Sequence, residues 1–354
     1  MFLRRFSVIC FYDSYVTITD MTPKGKKQKN EKIRVAVLMG GPSTEHEVSL
    51  KTGANILEHF DPEQFEAKGV VISKEGKWPF AVEELPQKFD VAFIAMHGTY
   101  GEDGTVQGIL DEVSIPYTGS GKLSSALGMN KFLSLRLFKD AGLTIPPTLH
   151  FILRDFPERE EEVMQNILWY LEKPWVVKPN YGGSSVGTVI INDKEALRDV
   201  LRAAANDYKD ALVQTCIPGR EVTCGVVDYG TEDSAFALPP TEIVPRASRF
   251  FDYKAKYEPG GSDEITPARF PESFLKEFRR IALLTHRLTG CRGFSRTDMI
   301  VGKDKKIYLL EINTIPGLTK ESLLPKAAHV YGIPFQKLLE LLVESAFASH
   351  KRKS

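Results

Sequence analysis

Residues 33–39 form an unbroken apolar run rich in β-branched side chains, and the run ends on Gly40-Gly41-Pro42. That pattern predicts a buried strand entering a glycine turn. Residues 48–60 read as a helix, and further apolar runs follow at 65–72 and 91–96. Strand and helix alternate here, so the segment predicts a parallel, Rossmann-like α/β domain that closes near Gly119-Ser120-Gly121. Residues 124–141 read as helical with a break at 128–130. Asn130 can cap the second piece, and Gly142 follows its end. Residues 143–214 give strand, helix, strand, glycine-rich loop, strand, helix and strand.

Beyond that, strand-like runs occupy 221–227 and 236–244, and a charged helix occupies 272–288. Two strands at 293–301 and 307–313 form a hairpin, and a last helix with apolar residues at helical spacing covers 335–348. We read a leader over 1–30 and three α/β lobes over 31–120, 121–214 and 215–354.

Composition narrows the class. With 354 residues, 42% hydrophobic and 26% charged, the chain is of ordinary globular make-up, not collagenous, disordered or membrane-embedded. Its 46 basic and 46 acidic residues cancel, which argues against a whole-protein grip on nucleic acid. The balance is uneven, because residues 1–30 carry a net charge of +4, leaving the rest mildly acidic. The leader's apolar stretch, 6–12, is too short to span a bilayer, and no small-residue cleavage site follows it. An unstructured extension, or a start at Met21, is the expectation. Four scattered cysteines make neither a disulfide framework nor a zinc site, so a cytoplasmic location is expected.

The hairpin carries the strongest chemistry. Side chains two apart share a strand face, and a loop over 303–306 would set Asp298 opposite Glu311 and Arg296 opposite Asn313. Two carboxylates at ~4 Å repel by about 4 kcal/mol at an effective dielectric near 20, so something should compensate. A salt bridge to Arg296 would do so. A hard divalent cation on Asp298, Glu311 and the Asn313 amide oxygen would do so too, with phosphate oxygens completing its shell.

Residues 176–187 (VVKPNYGGSSVG) run from a strand into a Gly/Ser loop that could wrap phosphate, although no Walker ending is present. Lys178 at the end of an apolar strand calls for an anionic partner. Lys131 and Lys256 could be further phosphate contacts. Glu45, His46, Ser49 and His97 lie at predicted strand C-termini, where open α/β sheets bind ligands.

Taken in order, GGPSTEHEVSL (40–50), HGTYGEDG (97–104), PYTGSG (116–121), the 178–187 loop, FDYKAKY (251–257), GFSRTDM (293–299) and LLEINTIPGLTKESLLP (309–325) resemble the D-alanine–D-alanine ligases, a family of the ATP-grasp fold. The resemblance spans about residues 32–345. It implies an N-terminal pre-ATP-grasp domain followed by a two-lobed ATP-grasp domain, with ATP between the second and third lobes.

It implies the following roles. Lys131, Lys178 and Lys256 contact ATP phosphates under a lid of Gly183, Ser184 and Ser185. Gln214 and Ile217 border the adenine, and Glu221 holds the ribose. Asp298, Glu311 and Asn313 ligate two Mg²⁺ (or Mn²⁺) ions. Glu45 anchors the first D-alanine's ammonium through a chain of Ser184 and Tyr257, with Val48, Ser49 and His97 beside that substrate. Arg296 and the Gly317 N–H face the oxyanion, and Ser322 and Leu323 hold the second D-alanine's carboxylate. A homodimer is implied, with no nucleic-acid or membrane partner.

Gln214 stands where a glutamate is the family's residue on the adenine amino group, with Thr215-Cys216 beside it, so altered adenine affinity is expected. Acceptors other than D-alanine (D-serine, D-lactate) and a non-catalytic ATP-binding module are the alternatives. Tyr257 argues against the D-lactate form, and the intact set of lysines, Arg296 and hairpin carboxylates argues against a dead module.

Overall fold

A computed structural model of the chain describes residues 31–183, 187–230, 234–245, 261–351. The leader, Ser184, Ser185, Phe251, Lys256 and Tyr257 lie outside the described residues.

The first sheet is small and wholly parallel. Strands β1 (Ile33–Gly40), β2 (Phe65–Ile72) and β3 (Val91–Ile94) run in the order β2-β1-β3. Helices α1 (His46–His59) and α2 (Leu85–Lys88) lie in its connections, and α3 (Thr105–Glu112) follows β3. Residues 33–39 are as apolar as a strand covered on both faces requires, and Val35 to Leu38 are fully buried.

Helices α4 (Lys122–Met129) and α5 (Lys131–Asp140) follow, broken at Asn130 as the sequence predicts. The second sheet comprises β4 (Thr148–Ile152), β5 (Trp175–Pro179), β6 (Val189–Ile191) and β7 (Asp210–Thr215) in the antiparallel order β4-β7-β5-β6. Helices α6 (Phe156–Tyr170) and α7 (Lys194–Asp207) pack on it around Trp175, Leu197 and Val213.

The third sheet runs β11-β10-β8-β12-β13, with β9 also pairing β8. Its strands are β8 (Gly219–Val227), β9 (Phe236–Ala237), β10 (Thr241–Pro245), β11 (Ser262–Ile265), β12 (Phe294–Gly302) and β13 (Ile307–Asn313). Helix α8 (Glu272–Thr289) covers one face. Residues 236–244, read as one strand from sequence, are two, because Pro239-Pro240 supplies no N–H to a ladder.

Two helical segments pack away from the lobes to which the sequence reading assigns them. Phe138 of α5 and the following Leu143 join the core of the third sheet, not that of the second. The C-terminal helices α9 (Leu323–Tyr331) and α10 (Phe335–Lys351) join the core of the first sheet, α9 through Leu324 and Ala328 and α10 through Leu338, Leu339 and Leu342. A three-stranded sheet has two faces to bury, and the chain's own later helices supply cover that its local connections do not.

Candidate active site

Among the described residues, a cleft opens between the second and third sheets. Lys178 and Gln214 enter it from β5 and β7, and Glu221 from β8. Asp298 and Glu311 come from the β12–β13 hairpin, and Lys131 from α5. Ile217, in the β7–β8 connection, closes one edge. Val176 and Ile190 on one side, and Met299, Ile300 and Leu310 on the other, give the cleft two apolar walls beside these charged groups. Cys216 also lines it. Burial, and after it the charge of Glu221, push its thiol up, so it stays protonated and is no nucleophile at neutral pH.

The first turn of α5 shows how Lys131 is placed. A helix leaves its leading N–H groups without intrahelical partners. Here the Lys131 N–H donates to the Asn180 carbonyl (3.1 Å), the Phe132 N–H to Asn180 Oδ1 (2.9 Å) and the Leu133 N–H to Asn130 Oδ1 (3.0 Å). Asn180 Nδ2 donates in turn to Asp210 Oδ2 (2.8 Å), which also meets His150 Nε2 (2.7 Å), and that ring stacks on Phe132. Asn180 therefore ties α5, which belongs to the third sheet's core, to the end of β5 two residues past Lys178. It fixes the two lysines relative to one another. Asn180 carries one signal in the sequence, its position inside the lysine–glycine loop.

On the hairpin, Arg296 pairs with Asn313 and Asp298 with Glu311, in the predicted register. Two offsetting irregularities produce it. The loop is one residue shorter than expected, since Gly302 N–H bonds the Lys306 carbonyl and Lys305 turns with φ 65°. A bulge after Asp298 then adds the residue back at Leu310. The bulge also lets the consecutive residues Leu310 and Glu311 both face the cleft.

Arg296 forks Asp298 with two bonds of 2.8 Å, and Thr223 Oγ1 donates to the same carboxylate at 2.7 Å. Glu311 Oε2 lies 3.9 Å from Lys131 Nζ. Asn313 Oδ1 accepts the Ile315 N–H at 2.9 Å and keeps a second lone pair. Among the described residues, no three His, Cys, Asp or Glu side chains gather as a metal cage. Two carboxylates and one amide oxygen suit instead a hard cation that keeps most of its shell for phosphate and water, as Mg²⁺ does. The donor set fits that ion.

The first sheet brings its own edge to the cleft's end. Glu45 is buried just before α1, and a Cβ added at Gly183 would stand only 2.8 Å from its Oε2. The glycine loop thus approaches that carboxylate more closely than any side chain would allow. His97 is buried, with Nε2 2.9 Å from Thr52 Oγ1 and Nδ1 3.7 Å from Glu102 Oε1. Val48 is half-buried on α1.

Ser49 differs from the expectation of substrate contact. It is fully buried, accepts the Gly40 N–H and donates to the Ala95 carbonyl, each at 2.8 Å, so its hydroxyl ties the ends of β1 and β3 together. Farther round, Gly317 and Ser322 meet: a Cβ at Gly317 would come 2.7 Å from Ser322 Oγ, and that oxygen accepts the Thr319 N–H at 3.0 Å. Leu323 opens α9 directly after Ser322.

This parallel N-terminal sheet, followed by two antiparallel sheets gripping a cleft rich in lysines and carboxylates, is the architecture of an ATP-grasp ligase. A family model described as the D-alanine–D-alanine ligase C-terminus matches residues 137–344, and one for the N-terminus matches 34–86 and 79–120. The D-alanine–D-alanine ligase of Syntrophobacter fumaroxidans is 41% identical over 319 residues, 89% of this chain and 98% of that protein.

Among solved structures, the Bacillus anthracis D-alanine–D-alanine ligase complexed with ATP has a TM-score of 0.74 at 31% identity, covering 91% of this chain and 100% of that one. The VanG D-Ala:D-Ser ligase of Enterococcus faecalis has a TM-score of 0.78 at 30% identity, covering 89% and 100%. The chain belongs to the D-alanine–D-alanine ligase family.

Proposed function

We propose that the protein joins two D-alanine molecules with ATP, through an acyl phosphate, to supply the dipeptide for cell-wall precursors. The convergence of Lys131, Lys178, Asp298 and Glu311 on one cleft with apolar walls carries this reading. The triphosphate lies against these charged groups and the adenine between the walls. Lys256, Ser184 and Ser185 complete the phosphate contacts from the family pattern, Glu221 takes the ribose, and Gln214 and Ile217 border the base.

A carboxylate is a poor acylating agent, so its oxygen first takes the γ-phosphoryl group, a P–O bond forming as the bond to ADP breaks. Lys131 and Lys178 offset the charge on the phosphoryl oxygens. Asp298, Glu311 and Asn313 would hold the divalent ions, two of them by family likeness, Mg²⁺ or Mn²⁺, which supply further neutralisation of phosphate charge when bound. Glu45, supported by Ser184 and Tyr257, holds the ammonium of the first D-alanine, with His97 and Val48 beside that substrate.

Ser322 and Leu323 hold the carboxylate of the second D-alanine, whose amine attacks the carbonyl carbon. The C–N bond forms, Arg296 and the Gly317 N–H stabilise the oxyanion, the C–O bond to phosphate breaks and the amine loses its proton. By family likeness, Gly183, Ser184 and Ser185 belong to the lid that keeps water from the acyl phosphate. A homodimer in the cytoplasm is part of the proposal. Among the described residues, no helix is long and apolar enough to cross a membrane.

Phosphate release from ATP and Mg²⁺, measured with D-alanine, D-serine, D-lactate or L-alanine as acceptor, tests the reading. D-alanine-dependent release is expected. Its absence overturns the proposal, and faster release when D-serine is added to D-alanine would reassign the acceptor.

A further inference from the structure

Gln214 on β7 and Thr148 on β4 stand opposite one another in the sheet. Gln214 Nε2 donates to Thr148 Oγ1 at 2.7 Å, and Thr148 Oγ1 donates to the Pro146 carbonyl, also at 2.7 Å. A carbonyl oxygen can only accept, so the single hydroxyl proton of Thr148 is committed to Pro146. The hydroxyl then presents only lone pairs to Gln214, and the amide must turn its NH₂ group towards it. Fixing Nε2 on Thr148 turns the amide oxygen, Oε1, to the opposite side of the amide, with one N–H also left over. Gln214 is 3% exposed and lines the cleft between Val176 and Ile217.

We propose that Thr148 is a positioning residue for nucleotide specificity. It locks the Gln214 amide with its acceptor towards the base, so that the cleft selects a purine with an amino group at C6 over one with an oxo group. The inference rests on the placement of ATP in this cleft and adds the residue that gives a neutral amide its direction. An unfixed amide is ambivalent: turned over, its NH₂ would serve a 6-oxo purine as well as its oxygen serves a 6-amino one. A glutamate has no such ambiguity, since both its oxygens accept. A glutamine here needs a partner whose own proton is spent elsewhere, and Thr148 is that partner. A site built around a defined donor or acceptor penalises the wrong one by leaving buried groups unpaired.

The test compares ATP with inosine triphosphate, which has an oxo group at C6. kcat/KM for each is measured in the wild type and in Thr148→Val, Thr148→Ser, Gln214→Glu and the Thr148→Val/Gln214→Glu double variant, with D-alanine saturating. Thr148→Val keeps the shape and β-branching while removing the hydroxyl. It is expected to raise the inosine-to-adenosine ratio by about tenfold, equivalent to about 1.4 kcal/mol, with the KM for D-alanine unchanged. Thr148→Ser should keep the wild-type ratio. In the Gln214→Glu background, loss of the Thr148 hydroxyl should no longer change the ratio.

An unchanged ratio in Thr148→Val, or the same shift in Thr148→Val and Thr148→Ser, overturns the inference. So does a shift that persists in the Gln214→Glu background. Lys178→Met separates the two levels. If it keeps the wild-type KM for ATP, the placement of ATP itself fails. If it loses ATP while Thr148→Val behaves as wild type, only the role of Thr148 fails.

Discussion

Arg296 holds Asp298 from two residues away on the same strand face, through two parallel hydrogen bonds of 2.8 Å. The guanidinium assigned to the oxyanion is therefore braced by a carboxylate assigned to the metal. Lysine offers a point charge in place of a fork and cannot reproduce that pairing. Arg296→Lys is expected to lower kcat by about 10²–10³-fold, the usual cost of losing one oxyanion donor, and to raise the Mg²⁺ concentration needed for half-maximal rate. Wild-type turnover in this variant would remove Arg296 from the mechanism.

Glu311 faces Asp298 across the hairpin and lies near Lys131. Glu311→Gln keeps the shape and removes the charge, so the fold should stay intact while turnover falls by about 100-fold or more, at least the cost of disturbing a metal's outer shell. Circular dichroism and an Mg²⁺ titration check it. An unaltered Mg²⁺ requirement at wild-type rate would sink the metal assignment.

Asn180 joins α5 to β5 and β7 through its side chain. Asn180→Asp would set a second carboxylate against Asp210, whereas adding Asp210→Asn restores a donor and an acceptor in the same place. The single variant is expected to lose about 1–3 kcal/mol of stability and to raise the KM for ATP more than that for D-alanine. The double variant should regain most of both. Denaturant unfolding and initial rates give the comparison, and no recovery in the double variant would mean that the pair is not coupled.

Gly317 sits so close to Ser322 that an added methyl group would meet its hydroxyl oxygen at 2.7 Å. Gly317→Ala should displace Ser322 and weaken capture of the second D-alanine. The acceptor KM is expected to rise several-fold while the KM for ATP holds. Equal changes in both would point to a general disturbance of the loop.

Glu242 is buried on β10 between Arg220 and Arg269. Burial alone would raise its carboxyl, but the bonds from Arg269 and then Arg220 outweigh burial and hold it below the usual 4.5. A carboxylate whose folded value is depressed contributes stability above its unfolded value, and that contribution is lost as pH falls through the folded one. Glu242→Gln should therefore be less stable than wild type at pH 7, with the gap closing as pH drops below about 4.5. Urea unfolding at several pH values measures it, and a gap independent of pH would contradict the pairing.

Most of the fold was readable because each strand carries its own pattern. The run at 33–39 and the split helix at Asn130 needed no distant information. What the sequence hid depends on neighbours far along the chain. The register of Asp298 and Glu311 came out right only because a short loop and a bulge at Leu310 offset each other. Ser49 looked like a ligand contact, but its partners, Gly40 and Ala95, spend its hydroxyl inside the sheet. Thr148 gave no signal, since its meaning comes from Gln214, 66 positions away. The roles of Lys256 and Tyr257 rest on the family pattern alone.

Helix α10 closes the core of the first sheet, although it follows both later sheets along the chain. During synthesis, the N-terminal strands leave the ribosome long before the helix that covers them. The first sheet must therefore wait for α10 to be made before it can bury its hydrophobic face. Its folding is a late, long-range event, and a chain cut short in α10 leaves that face uncovered.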